Sequence, residues 1–220
     1  MTTKNIMCFG DSLTHGWVPV AEGVPTTRYD ADVRWTGVLA DRLGEGYKVI
    51  EEGLSARTTA VDDPTDDRLN GSKYLPAAIA SHLPLDLVII MLGTNDTKHF
   101  FHRTPQDIAV GMSLLAGQVL GSAGGVGTSY PAPKLMIMSP PPLAEKMGHP
   151  WLDVIFDQES IAKSKQLGPL YKALAEFMKC DYFEAGSVVT TEGVDGIHFT
   201  EENNLVLGEA LAEKVKQILG

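Results

Sequence analysis

The sequence predicts an α/β fold in which a parallel sheet carries helices on both faces, and three observations lead there. Short apolar runs alternate with segments of helical periodicity along the chain. One run, Val88-Ile89-Ile90-Met91-Leu92, is apolar at successive positions, as a strand covered on both sides requires. No internal repeat or low-complexity tract interrupts the alternation, and 220 residues suffice for one core, so residues 1–220 read as a single domain.

The strands are expected at Ile6–Phe9, Lys48–Ile50, Leu87–Leu92, Leu135–Met138 and Tyr182–Phe183. Between the first two, Trp35, Val38, Leu39 and Leu43 recur at helical spacing, and Gly44 ends the run. Thr104-Pro105 opens a second helix through Ile108, Met112, Leu115 and Val119. A third runs from about Ser160 to Met178, with Gly168-Pro169 expected to kink or interrupt it. The last spans Glu201–Leu219, with Thr200 as N-cap and two acids in its first turn. Four connections, Trp17–Arg34, Pro64–Ala78, Gly121–Pro133 and Ser139–Pro150, read as long loops that wall a site and supply subunit contacts.

Composition excludes several classes. A net charge of −10 opposes a nucleic-acid partner, because phosphate binding needs clustered Lys and Arg. No apolar run is long enough to span a bilayer, and Met1–Asn5 leads straight into an apolar strand without a secretory segment. The expectation is therefore a cytoplasmic protein with no membrane partner, whose only cysteines, Cys8 and Cys180, are reduced thiols. There is no Cys cluster, no His-Glu-x-x-His and no Gly-x-Gly-x-x-Gly after a strand, so no metal, dinucleotide or other cofactor is expected. His99 and His102, beside Phe100 and Phe101, read as loop or interface residues.

Four short motifs carry chemistry. Ser12, in Gly10-Asp11-Ser12-Leu13, follows the first strand at the start of a helix, where its own N–H can meet a developing oxyanion. Taken alone, Asp11 and Ser12 are also an ordinary capping pair. His198 lies three residues after Asp195, and Gly196 between them lets the backbone turn so that the carboxylate reaches Nδ1. Asp195 can equally be a turn former, and His198 a surface histidine. Asn95 follows the most apolar strand and offers an amide N–H, or else bridges its own turn. Gly53 follows the second strand, where a residue without a side chain allows its N–H to approach a substrate oxygen, or simply makes a turn. Together these provide a nucleophile with a base and its orienting acid (Ser12, His198, Asp195), and an oxyanion hole from Ser12, Gly53 and Asn95. Three of them follow strands of one parallel sheet, so they should meet at its C-terminal edge. Asp11 sits beside the nucleophile and is expected to hold the turn together.

These blocks resemble the SGNH, or GDSL, hydrolase superfamily, whose four naming residues match Ser12, Gly53, Asn95 and His198, with Asp195 as the triad acid. Gly16–Val20, Asp32–Gly37, Glu51–Thr59, Leu83–Thr97 and Val194–Thr200 are similar to its arylesterase branch. The resemblance implies a three-layer α/β/α, flavodoxin-like sandwich with a five-stranded parallel sheet and a serine esterase acting on short-chain and aryl esters. It further implies acyl transfer to alcohols, perhydrolysis with hydrogen peroxide, and a homo-oligomer, plausibly an octamer. Asp11, Leu13, His15, Trp17, Thr94 and Ile197 are candidate pocket residues, and Trp17, Phe100, Phe101 and Trp151 are candidates for an apolar entrance. His15 stands where that branch carries tryptophan, which weakens the acyl-transfer expectation relative to the esterase one. The alternatives are a carbohydrate O-deacetylase with the same triad, and a flavodoxin-like module holding a phosphate or flavin. The second suffers from Asp11 in the turn and the lack of a Gly-rich or Lys-bearing cradle.

Overall fold

The computed structural model describes residues 3–23 and 26–220. Five strands, β1 (Lys4–Gly10), β2 (Tyr47–Gly53), β3 (Leu87–Met91), β4 (Lys134–Ser139) and β5 (Asp181–Glu184), make one parallel sheet in the order β2-β1-β3-β4-β5. Side chains alternate along each strand and so feed two separate cores. Met7, Phe9, Val88, Ile90, Leu135 and Ile137 pack against α3 (Gly71–His82), α4 (Pro105–Leu120) and α6 (Gln158–Met178). Ile6, Cys8, Leu87, Ile89, Met136 and Met138 pack against α2 (Trp35–Leu43) and α7 (Glu201–Leu219). The architecture is the three-layer α/β/α sandwich.

The chain starts in the middle of the sheet, builds β2 on one side and then crosses to β3 on the other. The first turn after β1 and the first turn after β3 therefore diverge, leaving a crevice at the C-terminal edge. Two short helices sit beside that crevice, α1 (Ser12–His15) and α5 (Pro150–Ile155).

The structure departs from the sequence reading in four places. Residues 64–78 are not one long loop: α3 begins inside that stretch, with Asn70 as its N-cap accepting from the Ser72 N–H. Its interior Pro76 frees the Ser72 carbonyl, which accepts instead from Gln118 Nε2 of α4 at 2.8 Å. That neighbour makes the proline tolerable. α6 also runs through Pro169 without interruption. β2 continues three residues past Ile50, because Glu51 is held by Arg34 and Glu52 by His82. Residues 121–133 lead into the start of β4, so they lie at the end of the sheet opposite the crevice and cannot wall it. Among the described residues, no helix is long and apolar enough to cross a membrane, and no cluster of three potential metal ligands occurs. Cys8 is buried, Cys180 half-buried, and both are free.

Candidate active site

The turn after β1 is shaped by two close approaches. Gly10 has no room for a Cβ, which would fall 2.1 Å from Thr14 Oγ1 and 2.9 Å from the Met91 carbonyl. The chain then turns into α1, where Asp11 caps the helix by accepting from the Leu13 N–H at 3.0 Å. Ser12 is thereby the first residue of a helix pointing its N–H groups toward the crevice. His198 comes from the β5–α7 connection, just before the Thr200 cap that starts α7.

Across 186 positions of sequence, His198 Nε2 lies 2.8 Å from Ser12 Oγ. Its Nδ1 lies 2.7 Å from Asp195 Oδ2. A carboxylate only accepts, so Nδ1 carries the proton and Nε2 is left to accept from the Ser12 hydroxyl. Asp195 Oδ1 accepts from the backbone N–H of Ile197 (3.0 Å) and His198 (2.8 Å), which locks the turn that Gly196 permits at φ +82°. Burial alone would raise the Asp195 carboxyl, but the His198 hydrogen bond and charge hold it below the usual carboxylate range. Trp17 stacks on the imidazole with ring centroids 5.4 Å apart, shielding one face from water.

Asn95, in a 3₁₀ turn (Asn95–Thr97) after β3, gives its amide N–H groups to Asp11 Oδ2 (3.2 Å) and the Arg57 carbonyl (3.1 Å). Arg57 in turn donates to the Gly10 and Glu52 carbonyls, tying together the ends of β1 and β2. Burial pushes the Asp11 carboxyl up to about 6, against the Leu13 N–H and the charges of His198, Arg57 and Lys98. Asp11 thus braces the turn and the Asn95 amide from below and lies outside the cavity lining.

That cavity holds about 330 Å³ and is lined by Ser12, Trp17, Ser55, Ala56, Thr94, Asn95, Lys98, His198, Ile197 and a wall from Trp151, Leu152, Ile155 and Phe156. Trp17, Thr94 and Ile197 therefore line it as the sequence reading expected, and Trp151 stands at its wall. Leu13 does not. One position beyond Ser12 on a helix, it turns into the α2–α7 core, and its carbonyl accepts from Trp35 Nε1. His15 falls on the β2 side, its Nδ1 3.3 Å from the Gly53 carbonyl. Phe100 and Phe101 flank Lys98, each ring about 6 Å from its ammonium, and take no part in the lining.

Gly53 is also displaced from its expected role. It is the last residue of β2, paired with Gly10, and a Cβ there would fall 2.3 Å from the His15 nitrogen. Its lack of a side chain serves the packing of α1 on β2. Three residues later Ala56 adopts φ +68°, the left-handed region that an alanine seldom occupies, and lines the cavity beside Ser12. Among the described residues its N–H has no protein acceptor. The sequence signal that could have found it is slight: Leu54-Ser55-Ala56, a short small-residue stretch just past the strand end.

The GDSL-like lipase/acylhydrolase family matches residues 8–203. The chain belongs to that family. The acylhydrolase is similar to an aryl esterase of M. smegmatis at 65% identity and TM-score 0.96, over 99% of this chain and 100% of that one. It is similar to a carbohydrate acetylesterase of Sinorhizobium meliloti at 61% identity and TM-score 0.96, over 98% and 100% of the two chains. A putative arylesterase of Agrobacterium tumefaciens str. C58 matches at 36% identity and TM-score 0.84, over 99% and 100%. No curated protein matches. The acylhydrolase is accordingly a carboxylic ester hydrolase of the SGNH superfamily.

Proposed function

We propose that the acylhydrolase cleaves short-chain and aryl esters through an acyl-serine intermediate on Ser12. One observation carries this reading: the unbroken chain from Ser12 Oγ through His198 to Asp195 opens onto a small, mostly apolar cavity. His198 Nε2 takes the hydroxyl proton as Oγ attacks the carbonyl carbon, and Asp195 stabilises the imidazolium that forms. The oxyanion is received by the backbone N–H of Ser12 and of Ala56 and by the Asn95 amide, which trades one resting bond for it. His198 then protonates the departing alcohol or phenol. A second nucleophile, deprotonated by the same imidazole, releases the acyl group.

Water gives hydrolysis, an alcohol gives transesterification, and hydrogen peroxide gives a peracid. Apolar walls at Trp17, Trp151, Leu152, Ile155 and Phe156 favour an organic alcohol over water in that acceptor position. The carbohydrate O-deacetylase reading shares every step and differs only in the alcohol; the Sinorhizobium relative, a carbohydrate acetylesterase, supports it. We propose in addition a homo-oligomer, of octameric size by the family resemblance. Trp151 and Val154, 59% and 64% exposed beside the cavity mouth, support buried contacts there. Free thiols at Cys8 and Cys180 suit a cytoplasmic setting.

Ser12→Ala tests the mechanism. Turnover of p-nitrophenyl acetate should fall by at least ~10³-fold while circular dichroism and the melting temperature stay near the parent's. A well-folded variant that keeps its activity defeats the reading. The product ratio of butyl ester to free acid, with butanol present in water, then measures acyl transfer.

A further inference from the structure

Lys98 is a cation in an unusual place. It follows the Asn95–Thr97 turn, is only 8% exposed, and lines the same cavity as Ser12 and His198. A buried ammonium ordinarily has three donors satisfied, because each lost hydrogen bond to water must be replaced. Lys98 is not satisfied by protein groups in that way, and its Nζ keeps accessible surface where it meets the cavity. Its nearest carboxylate oxygen, Asp63 Oδ2, is 3.7 Å away, and among the described residues no acceptor lies within hydrogen-bond distance of Nζ. Asp63 is held in place from its other side, where Oδ1 accepts from the Thr65 N–H and hydroxyl at 2.9 and 2.6 Å. The rings of Phe100 and Phe101 lie with their centroids 5.9 and 6.0 Å from the ammonium. Lys163, buried to a similar degree, has by contrast a carboxylate at 3.0 Å.

The charge is balanced while the donors are free. Asp63 supplies a compensating charge, and the buried carboxyls of Asp11 and Asp96 also act on the ammonium. Burial lowers the Lys98 pKa despite them. A second carboxylate brought in by substrate would face those acids and lose its hydration among Trp17, Trp151 and Ile155. A neutral oxygen brings neither cost.

We propose that Lys98 determines substrate preference by donating to a neutral oxygen, a hydroxyl or ether, carried by the acyl or alcohol part of the ester. The inference rests on the esterase reading of the site and narrows its substrate class to oxygen-substituted esters, such as partly acylated polyols.

Two isosteric pairs test it. Butyl acetate and 2-methoxyethyl acetate differ only by CH₂ against O in the alcohol part. Phenyl pentanoate and phenyl 3-methoxypropanoate differ likewise in the acyl part. The kcat/KM ratio, oxygen over methylene, is measured in the parent, in Lys98→Met and in Lys98→Gln. Each ratio is taken within one protein, so a general loss of activity cancels, and the Gln variant restores a neutral donor should the Met variant fold poorly. In at least one pair the ratio should fall about tenfold or more in Lys98→Met and partly recover in Lys98→Gln. Ratios unchanged from the parent in both pairs overturn the proposal and leave the esterase reading intact, whereas a parent inactive on all four esters overturns both. Monophenyl succinate is the third probe. Cleavage of it that exceeds phenyl pentanoate and depends on Lys98 would replace the neutral oxygen with an anion and defeat the proposal.

Discussion

The floor of the cavity hangs from strand ends, whereas its wall stands on a small apolar cluster of its own. Ser12 and Asn95 follow β1 and β3, whose ladder is buried along its length, and Asp11, Arg57 and Asn95 interlock beneath them. The wall comes from residues 140–156, backed by Leu143, Met147, Phe156, Ile161 and Ile197 with Leu152 and Ile155 packed on them. Its backbone reaches the Asp195–Gly196 turn through the Ala144 N–H to the Gly196 carbonyl (3.0 Å) and the Gly148 N–H to the Asp195 carbonyl (3.1 Å). This cluster is separate from both sheet cores. The floor is thus fixed by the global fold, and the wall by a few local contacts. Reaction chemistry should depend on the first and substrate range on the second.

Substitutions on the two sides should separate kinetically. On the floor, Asn95→Ala removes the amide proposed as an oxyanion donor and strands Asp11 Oδ2 and the Arg57 carbonyl. The expected loss in kcat for p-nitrophenyl acetate is roughly 10²–10³-fold, with a smaller change in KM. A change under tenfold would mean that the resting bonds to Asp11 and Arg57 hold the amide away from the reaction, and the floor would have to be redrawn around the two backbone donors.

On the wall, Met147→Ala hollows the cluster behind Ile197. The cost is about 2–3 kcal/mol by chemical denaturation if the wall unfolds with the rest of the molecule. Because the cluster is small and separate, the sharper expectation is a rise in KM for aryl esters and faster hydrogen exchange over residues 143–156, with kcat changed only a few-fold. A kcat loss as large as that of Asn95→Ala would erase the distinction between the two regions.

How far the sequence reveals each region follows the same line. Asp-Ser after a strand, Gly-Thr-Asn-Asp after another and Asp-x-x-His before a capped helix are local signals, and the sheet order brings them together. Sequence alone misplaced Gly53 because it expected β2 to end at Ile50. Continuing the ladder to Gly53 uses that glycine for packing under His15 and passes the cavity position to Ala56. A left-handed alanine leaves no residue-type mark. α3 escaped because Asp, Pro and Gly dominate its approach and Pro76 sits inside it, while the Gln118 amide that repairs the proline comes from another helix. Lys98 carries no motif, and its burial comes from Asp63, Phe100, Phe101 and the cavity wall, which sequence does not bring together.

The buried acid of the floor gives a pH signature that the wall lacks. The Asp11 carboxyl is raised in the folded state to about 6 from an unfolded value near 3.8. The native protein therefore holds more protons than the unfolded chain between those values, and stability falls as pH rises through that window. Asp11→Asn keeps the cap through its one oxygen and removes the ionisation, but its amide N–H2 faces the Asn95 amide and forfeits that bond at every pH. On top of that constant loss, its stability relative to the parent should rise from pH 4 to pH 7 by on the order of 2 kcal/mol and stay level below pH 4. A pH-independent difference would mean that Asp11 is ionised without penalty, and the close charges of Arg57 and Lys98 would then outweigh its burial.

The smallest effect probes the position that sequence overlooked. Ala56 holds φ +68°, which costs an alanine roughly 1 kcal/mol more than a glycine. Ala56→Gly keeps the backbone N–H while relieving that strain, so the melting temperature should rise slightly and kcat should stay within a few-fold of the parent. Glycine's greater freedom in the unfolded chain offsets part of that gain, and the net expected size is therefore below about 1 kcal/mol. If kcat instead collapses with the fold intact, the alanine methyl itself is holding the N–H on target. The floor would then depend at this one point on a side-chain contact of the kind that builds the wall.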